Sequence, residues 1–261
     1  MAALAIGPLN NTIMSHMKAT LYIIFAASIL LSGCKPTNSS SFVSLFDGKT
    51  LKQWKGDTSL WTVENGAIVG LTTEENPLRA NTFLFSDKEY DDFELHLKFQ
   101  LKGGNSGVQF RSKNISPPQF VAQGYQADFD SSGKWVGVLY GERCGGVLAL
   151  RGTKVKIAKD GKKTTLAKLP FADEIMAGIK KNDWNNYVII ARGPYIKLQI
   201  NGKTTIEVYD EDHRERDLKG FIALQCHVGP AMKVQFKDIL IKELKGQEAL
   251  PPAEFMSSNN K

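Results

Sequence analysis

Cysteine is scarce, three residues in a chain of 261, which excludes a small disulfide-dense scaffold. None of Cys34, Cys144 and Cys226 has a partner at metal-ligand spacing, so the sequence names no zinc or other metal site. A disulfide between Cys144 and Cys226 is permitted in an oxidising compartment, but two cysteines alone do not establish one. Long apolar runs are missing too. The longest, Leu21–Leu31, falls well short of the roughly 20 residues a spanning helix needs. Helical periodicity is rare, and no internal repeat of blade length marks a propeller or solenoid. Neither sign of charge dominates: 33 Lys and Arg against 27 Asp and Glu leave a formal +6. Without a basic stripe interleaved with aromatics, nucleic acid is not a partner. A mild pull toward anionic surfaces or glycans is the most this charge supports.

The first residues read as an address. Lys18 precedes the apolar run, Ser32-Gly33 follow it, and Cys34 comes next. Basic residue, short apolar core and small residues in that order make a signal peptide over residues 1–33, with Met17 a plausible start. Leu31-Ser32-Gly33-Cys34 resembles the lipobox of bacterial lipoproteins, which implies acylation of Cys34 and a lipid anchor in the cell envelope, on the periplasmic side or at the outer membrane. Residues 34–41 are a polar tether, and residues 245–261, with Pro251-Pro252 and Ser257-Ser258-Asn259-Asn260, read as a disordered tail. Residues 42–244 are left as one domain, long enough for a sizeable core.

That domain is patterned as strands. Phe93–Leu101 alternates apolar and polar without a break, so one face is buried. Asn65-Gly66 and Asn201-Gly202 each sit between two strand-like runs and predict hairpins, because both positions tolerate φ > 0. Tyr187–Ala191, Tyr195–Ile200, Thr204–Tyr209, Gly220–Val228 and Met232–Leu244 continue the series, the last slipping register near Asp238. One short helix is expected over Phe171–Ile179. Many short strands with Gly-rich turns predict an all-β, two-sheet antiparallel sandwich of jelly-roll type.

Three strands place directional polar groups on one face. Gln109 and Arg111 alternate with Val108 and Phe110, Gln126 and Asp128 share a face with Asp130, and Gln225 and His227 oppose Leu224, Cys226 and Val228. Solvated faces usually carry Lys, Glu and Thr, whereas these groups hydrogen-bond in fixed directions. Trp135, Tyr125 and Tyr140 offer faces on which a sugar ring can stack. The segment Leu139–Gly146 is read as a loop that adds Glu142 and Arg143 beside three glycines.

Further motifs carry a family resemblance. Phe42–Leu51 with Trp54, Trp61–Gly66, Asn105-Ser106-Gly107 with Arg111, Gly124–Asp128, Leu139–Glu142, Trp184-Asn185, Asn201-Gly202, and Leu224–His227 with Gly229-Pro230 together resemble the 3-keto-disaccharide hydrolase domain family. The resemblance implies a concanavalin A-like jelly roll and action on glycosides whose C3 hydroxyl is already a ketone. It depends on no cofactor, and it implies an oxidoreductase partner that makes the 3-keto substrate. The Gly141–Cys144 segment and the basic stretch Arg151–Lys168 depart from the family pattern.

A C3 ketone acidifies the C2 proton, so such an enzyme needs a base, a donor for the enolate oxygen and an acid for the leaving oxygen. Asp128 or His227 is the expected base, Arg111 the enolate donor and Glu142 the acid. Gln109, Gln126, Gln225, Tyr125, Tyr140, Arg143 and Trp135 are expected to hold substrate. A lectin-like binding module and a two-carboxylate glycosidase using Asp128 and Glu142 are the alternatives. Jelly rolls often hold calcium, but no ligand cluster in the sequence points to it.

Overall fold

The computed structural model describes residues 41–253. Cys34, the apolar run before it and the end of the tail lie outside the described residues. Among the described residues no helix is long and apolar enough to cross a membrane.

In chain order the strands are β1 (Val43–Ser44), β2 (Trp54–Lys55), β3 (Trp61–Glu64), β4 (Ala67–Thr72), β5 (Thr82–Tyr90), β6 (Phe93–Lys102), β7 (Asn105–Ser116), β8 (Val121–Asp130), β9 (Leu139–Glu142), β10 (Gly146–Ala149), β11 (Thr153–Ile157), β12 (Lys163–Lys168), β13 (Asn185–Arg192), β14 (Tyr195–Ile200), β15 (Lys203–Asp210), β16 (Gly220–Cys226) and β17 (Met232–Glu243). They form two sheets. The larger runs β12-β11-β15-β14-β13-β6-β17-β4-β3, with β1 beside β17, and the smaller runs β10-β9-β8-β7-β16-β5-β2. The expected sandwich is thus present, with one departure from antiparallel pairing. β11 runs parallel to β15, Thr153 opposite Ile206, because the chain crosses from the small sheet at β10 into the large one. β12, all of it exposed, is the outermost strand on that side.

The core lies between the sheets. Phe93, Leu95, Leu97 and Phe99 of β6 are buried while the alternate residues are half-buried, as a period of two requires. They meet the inward residues of β7 and β8: Phe99 stacks on Phe129 at 4.0 Å and Phe93 meets Phe110 edge-on at 6.2 Å. Burying rings of this size supplies most of the drive for holding the sheets together. Both predicted hairpins form, with Glu64 opposite Ala67 and Ile200 opposite Lys203. Their turns use left-handed Asn65-Gly66 and Asn201-Gly202.

Two strands change face in mid-course. In β17 the register against β6 shifts between Lys237 and Leu240, with Asp238 at φ 52°. Phe236 points inward before the slip, Ile239 and Ile241 after it. In β7 the register against β8 shifts between Phe110 and Lys113, with Arg111 at φ 48°. This second bulge decides which residues reach the functional face. The expected helix over Phe171–Ile179 is instead two 3-10 turns, Ala172–Glu174 and Met176–Gly178. A segment this short, with Pro170 before it and Gly178 within it, cannot propagate an α-helix.

Candidate active site

β8 supplies the centre of the site. Its odd residues Tyr125, Ala127 and Phe129 face the core, so Gln126 and Asp128 face away from it. Gly107 of β7 lies opposite Asp128. A Cβ on Gly107 would stand 2.6 Å from Gln126 Cγ, so the glycine makes room for that side chain. Gln126 Nε2 donates to Asp128 Oδ1 at 2.5 Å.

Asp128 and Gln126 line a pocket of about 270 Å³ together with Asn81, Asn105, Trp135, Tyr140, Glu142 and His227. Tyr140 and Glu142 come from β9, which pairs with β8 so that Gln126 meets Tyr140. The Leu139–Gly146 segment is therefore a strand followed by a tight turn and not a loop throughout. Cys144 N–H closes that turn on Gly141 O at 3.2 Å. Trp135 sits in the connection after β8, where its backbone N–H donates to Asp130 Oδ1 at 2.8 Å. Lys134 Nζ lies 4.7 Å from the Trp135 ring centre. His227 follows the last residue of β16, and its Nδ1 donates to Val228 O. A carbonyl only accepts, so Nδ1 carries a proton and Nε2 is the ring nitrogen left for other partners.

Burial pushes the Asp128 carboxyl up to about 7, the nearby Glu142 and Asp130 adding to the rise and the Gln126 donor opposing it. A carboxylate poised near neutral pH is suited to taking and returning a proton.

Arg111 is not in this pocket. The positive φ at its bulge breaks the alternation that would have set it beside Gln109. Its guanidinium reaches instead to the β5–β6 and β13–β14 turns: Nε to Asp91 O at 2.7 Å, Nη1 to Gly193 O at 2.6 Å and Nη2 to Asp92 Oδ1 at 2.7 Å. Tyr125 is likewise a core residue, stacked on Phe110 at 5.5 Å and donating its hydroxyl to Asp210 Oδ2 at 2.7 Å. Arg143 is exposed in the turn after β9 and does not line the pocket. Gln109 and Gln225 are fully buried beside Gln126 without lining it. Cys144 and Cys226 are both buried and both free.

Two pocket residues escaped the sequence reading. Asn105 stood within the Asn105-Ser106-Gly107 motif, which was the available signal. Asn81 had none. It enters because β5 pairs with β16, and it bridges the site, accepting from Val228 N–H at 2.9 Å and donating to Glu142 Oε1 at 3.5 Å. A larger groove, about 590 Å³, opens beside Phe46, His96, Lys98 and Asn186 of the large-sheet side, and holds none of the residues assembled around Asp128.

The chain resembles several known proteins. Two Parabacteroides distasonis structures described as candidate glycosyl hydrolases share its fold. One has a TM-score of 0.52 at 19% identity, covering 78% of this chain and 100% of that one. The other has a TM-score of 0.51 at 18% identity, covering 78% and 94%. A 3-keto-disaccharide hydrolase of Bacteroides thetaiotaomicron is 29% identical over 90 residues, 31% of each chain. The match thus spans under a third of that curated relative's length. A family model matches residues 41–242, which takes in both sheets and every residue of the pocket: the chain belongs to the 3-keto-alpha-glucoside-1,2-lyase-like domain family.

Proposed function

We propose that this protein cleaves glycosides whose C3 hydroxyl has been oxidised to a ketone, by elimination between C1 and C2 followed by addition of water. The observation that carries the reading is the meeting of Asp128, Glu142 and His227 in one small pocket beside Trp135 and Tyr140. About 270 Å³ lies just below the size of sites for drug-sized ligands, which suits a single sugar ring. Two aromatic side chains supply surfaces for its C–H faces.

Asp128 takes the C2 proton, and the electron pair left on C2 delocalises into the C3 carbonyl as an enolate. The pair then forms the C1–C2 double bond as the glycosidic oxygen leaves C1, taking a proton from Glu142. Water adds to C1 and gives up a proton to Glu142, C2 regains a proton from Asp128, and both carboxyls return to their starting states, so the net change is hydrolysis. With Arg111 engaged elsewhere, the enolate oxygen needs another donor. The Asn105 carboxamide is the amide available, since Asn81 is engaged by Glu142 and Val228. His227 Nε2 is the second proton acceptor facing the sugar.

The same reading gives Cys34 its purpose. A lipid anchor there would hold the domain in the cell envelope, beside an oxidoreductase that makes the 3-keto sugar. Incubating the purified protein with a glucoside and with its 3-keto form tests the reaction. Cleavage of the oxidised form alone is expected. Equal cleavage of both, or binding without product, would refute it.

A further inference from the structure

The functional face of the small sheet holds more buried polar side chains than the pocket uses. Ser112 Oγ donates to Gln109 Oε1 at 2.5 Å, and Gln109 Nε2 donates to Gln126 Oε1 at 2.8 Å. Gln126 Nε2 completes the row at Asp128 Oδ1 and also approaches Gln225 Oε1 at 3.3 Å. Ser112 and Gln109 are both fully buried and neither lines the pocket.

The backbone is shaped around this row. The bulge at Arg111 turns Ser112 onto the face of Gln109, where regular alternation would point it away. Gly124, at φ 147°, leaves the space Ser112 occupies: a Cβ there would stand 2.5 Å from Ser112 Oγ. Gly107 does the same for Gln126. Two glycines and a bulge thus surround a row of three polar side chains, of which only Gln126 lines the pocket.

A carboxamide has one donating and one accepting end, so its orientation matters. Turned over, Gln126 would press its oxygen against the ionised Asp128 carboxylate, two acceptors with no proton between them. Gln109 Nε2 blocks that turn by occupying Gln126 Oε1. Ser112 Oγ anchors the far end of Gln109, touching Oε1 at 2.5 Å while also reaching Phe110 O at 3.1 Å.

We infer that Ser112 and Gln109 are positioning residues for Asp128, acting through the Gln126 amide to keep a donor on Oδ1. The inference rests on the reading of Asp128 as the base. The other groups around Asp128 are Glu142 of β9, Asp130 of β8 and His227 beyond β16, with Tyr187 hydroxyl on the Asp128 carbonyl at 3.4 Å. Among the described residues no Lys or Arg lines the pocket, and the Gln126 amide is the group that favours the ionised form.

The experiment titrates Asp128 directly. Carbon-13 carboxyl NMR on Asp-labelled protein follows its midpoint in wild type, Ser112→Ala and Gln109→Met, with Asp128→Asn assigning the resonance. Losing an ordered donor raises a carboxyl, so the midpoint should climb by about half to one pH unit in both variants. The acidic limb of kcat/KM on a 3-keto-glucoside should move up with it, with activity recovering at high pH. A merely structural role would lower the whole profile without moving the limb. Ser112→Ala removes one oxygen, so it remains informative if Gln109→Met does not fold. An unmoved midpoint in folded Ser112→Ala overturns the inference. A moved midpoint in a protein that does not cleave 3-keto-glucosides would sink the functional reading and leave the relay standing.

Discussion

Replacing Arg111 by methionine tests the geometry where sequence and structure part most sharply. On sequence the residue is a donor to the enolate oxygen, and its loss should cripple turnover in a well-folded protein. In the structure its side chain is 1% exposed and makes three hydrogen bonds, to Asp91 O, Gly193 O and Asp92 Oδ1. Asp92 Oδ1 also accepts from Gly193 N–H at 2.6 Å, so the guanidinium ties the β5–β6 turn to the β13–β14 turn. Removing one partner of a buried ion pair costs about 3–5 kcal/mol. Because the Asp92 side chain is 25% exposed, water recovers part of the loss, and about 3 kcal/mol is expected. For a domain of this size that lowers Tm by about 6–12 °C. Lysine should rescue only in part, since one ammonium cannot span three acceptors held by a planar fork. Thermal unfolding and urea titration give the stability, and kcat/KM on a 3-keto-glucoside is read well below the melt. The folded fraction of Arg111→Met should keep activity within a few-fold of wild type. An unchanged Tm with turnover down by orders of magnitude would refute the reasoning.

Other consequences are as direct. Asp128→Asn should abolish cleavage yet stabilise the fold at pH 8. The native carboxyl, near 7 against an ordinary 3.8, costs nothing below the lower value and destabilises the native state as pH rises between them, by a few kcal/mol at the plateau. The variant's advantage in urea should therefore vanish by pH 4. Gly141→Ala should damage the turn behind Glu142, since a Cβ there would stand 1.6 Å from Cys144 O. A loss of more than about 3 kcal/mol or no soluble protein is expected, and a wild-type melt would contradict it. Trp135→Ala should raise KM about tenfold with less effect on kcat, if the ring binds sugar uniformly in ground and transition states. Cys144 and Cys226 should resist a thiol reagent until the protein unfolds, because burial pushes their thiols up to about 11 and about 12.

What could be read in advance was whatever rests on strict alternation. The Phe93–Leu101 pattern gives β6 with its faces correct, and Asn-Gly dipeptides give both hairpins. Gln126 with Asp128 also came through, because β8 keeps its period from Tyr125 to Phe129. Arg111 did not, because its bulge falls where polar Arg111, Ser112 and Lys113 run together and leaves no mark in the pattern, unlike the slip near Asp238. The same bulge hid Ser112, which regular alternation with Val108 and Phe110 would point inward. Asn81 was illegible for another reason. Its place in the site depends on β5 lying beside β16, a pairing between residues more than 130 positions apart, and no local pattern encodes that.

β12 gives the molecule a property unrelated to its pocket. Among the described residues, Lys163-Thr164-Thr165-Leu166-Ala167-Lys168 leaves one side of its backbone without a neighbouring strand, and an open row of amides and carbonyls invites a second copy to zip on. Lysines stand at both ends, Lys168 held by Asp173 at 2.6 Å, while Lys163 Nζ reaches Gly145 O and Val147 O at 2.6 and 2.7 Å. An incoming strand would have to bury those charges or break those bonds. Lysines at both ends of an exposed edge thus make addition of a further strand costly there.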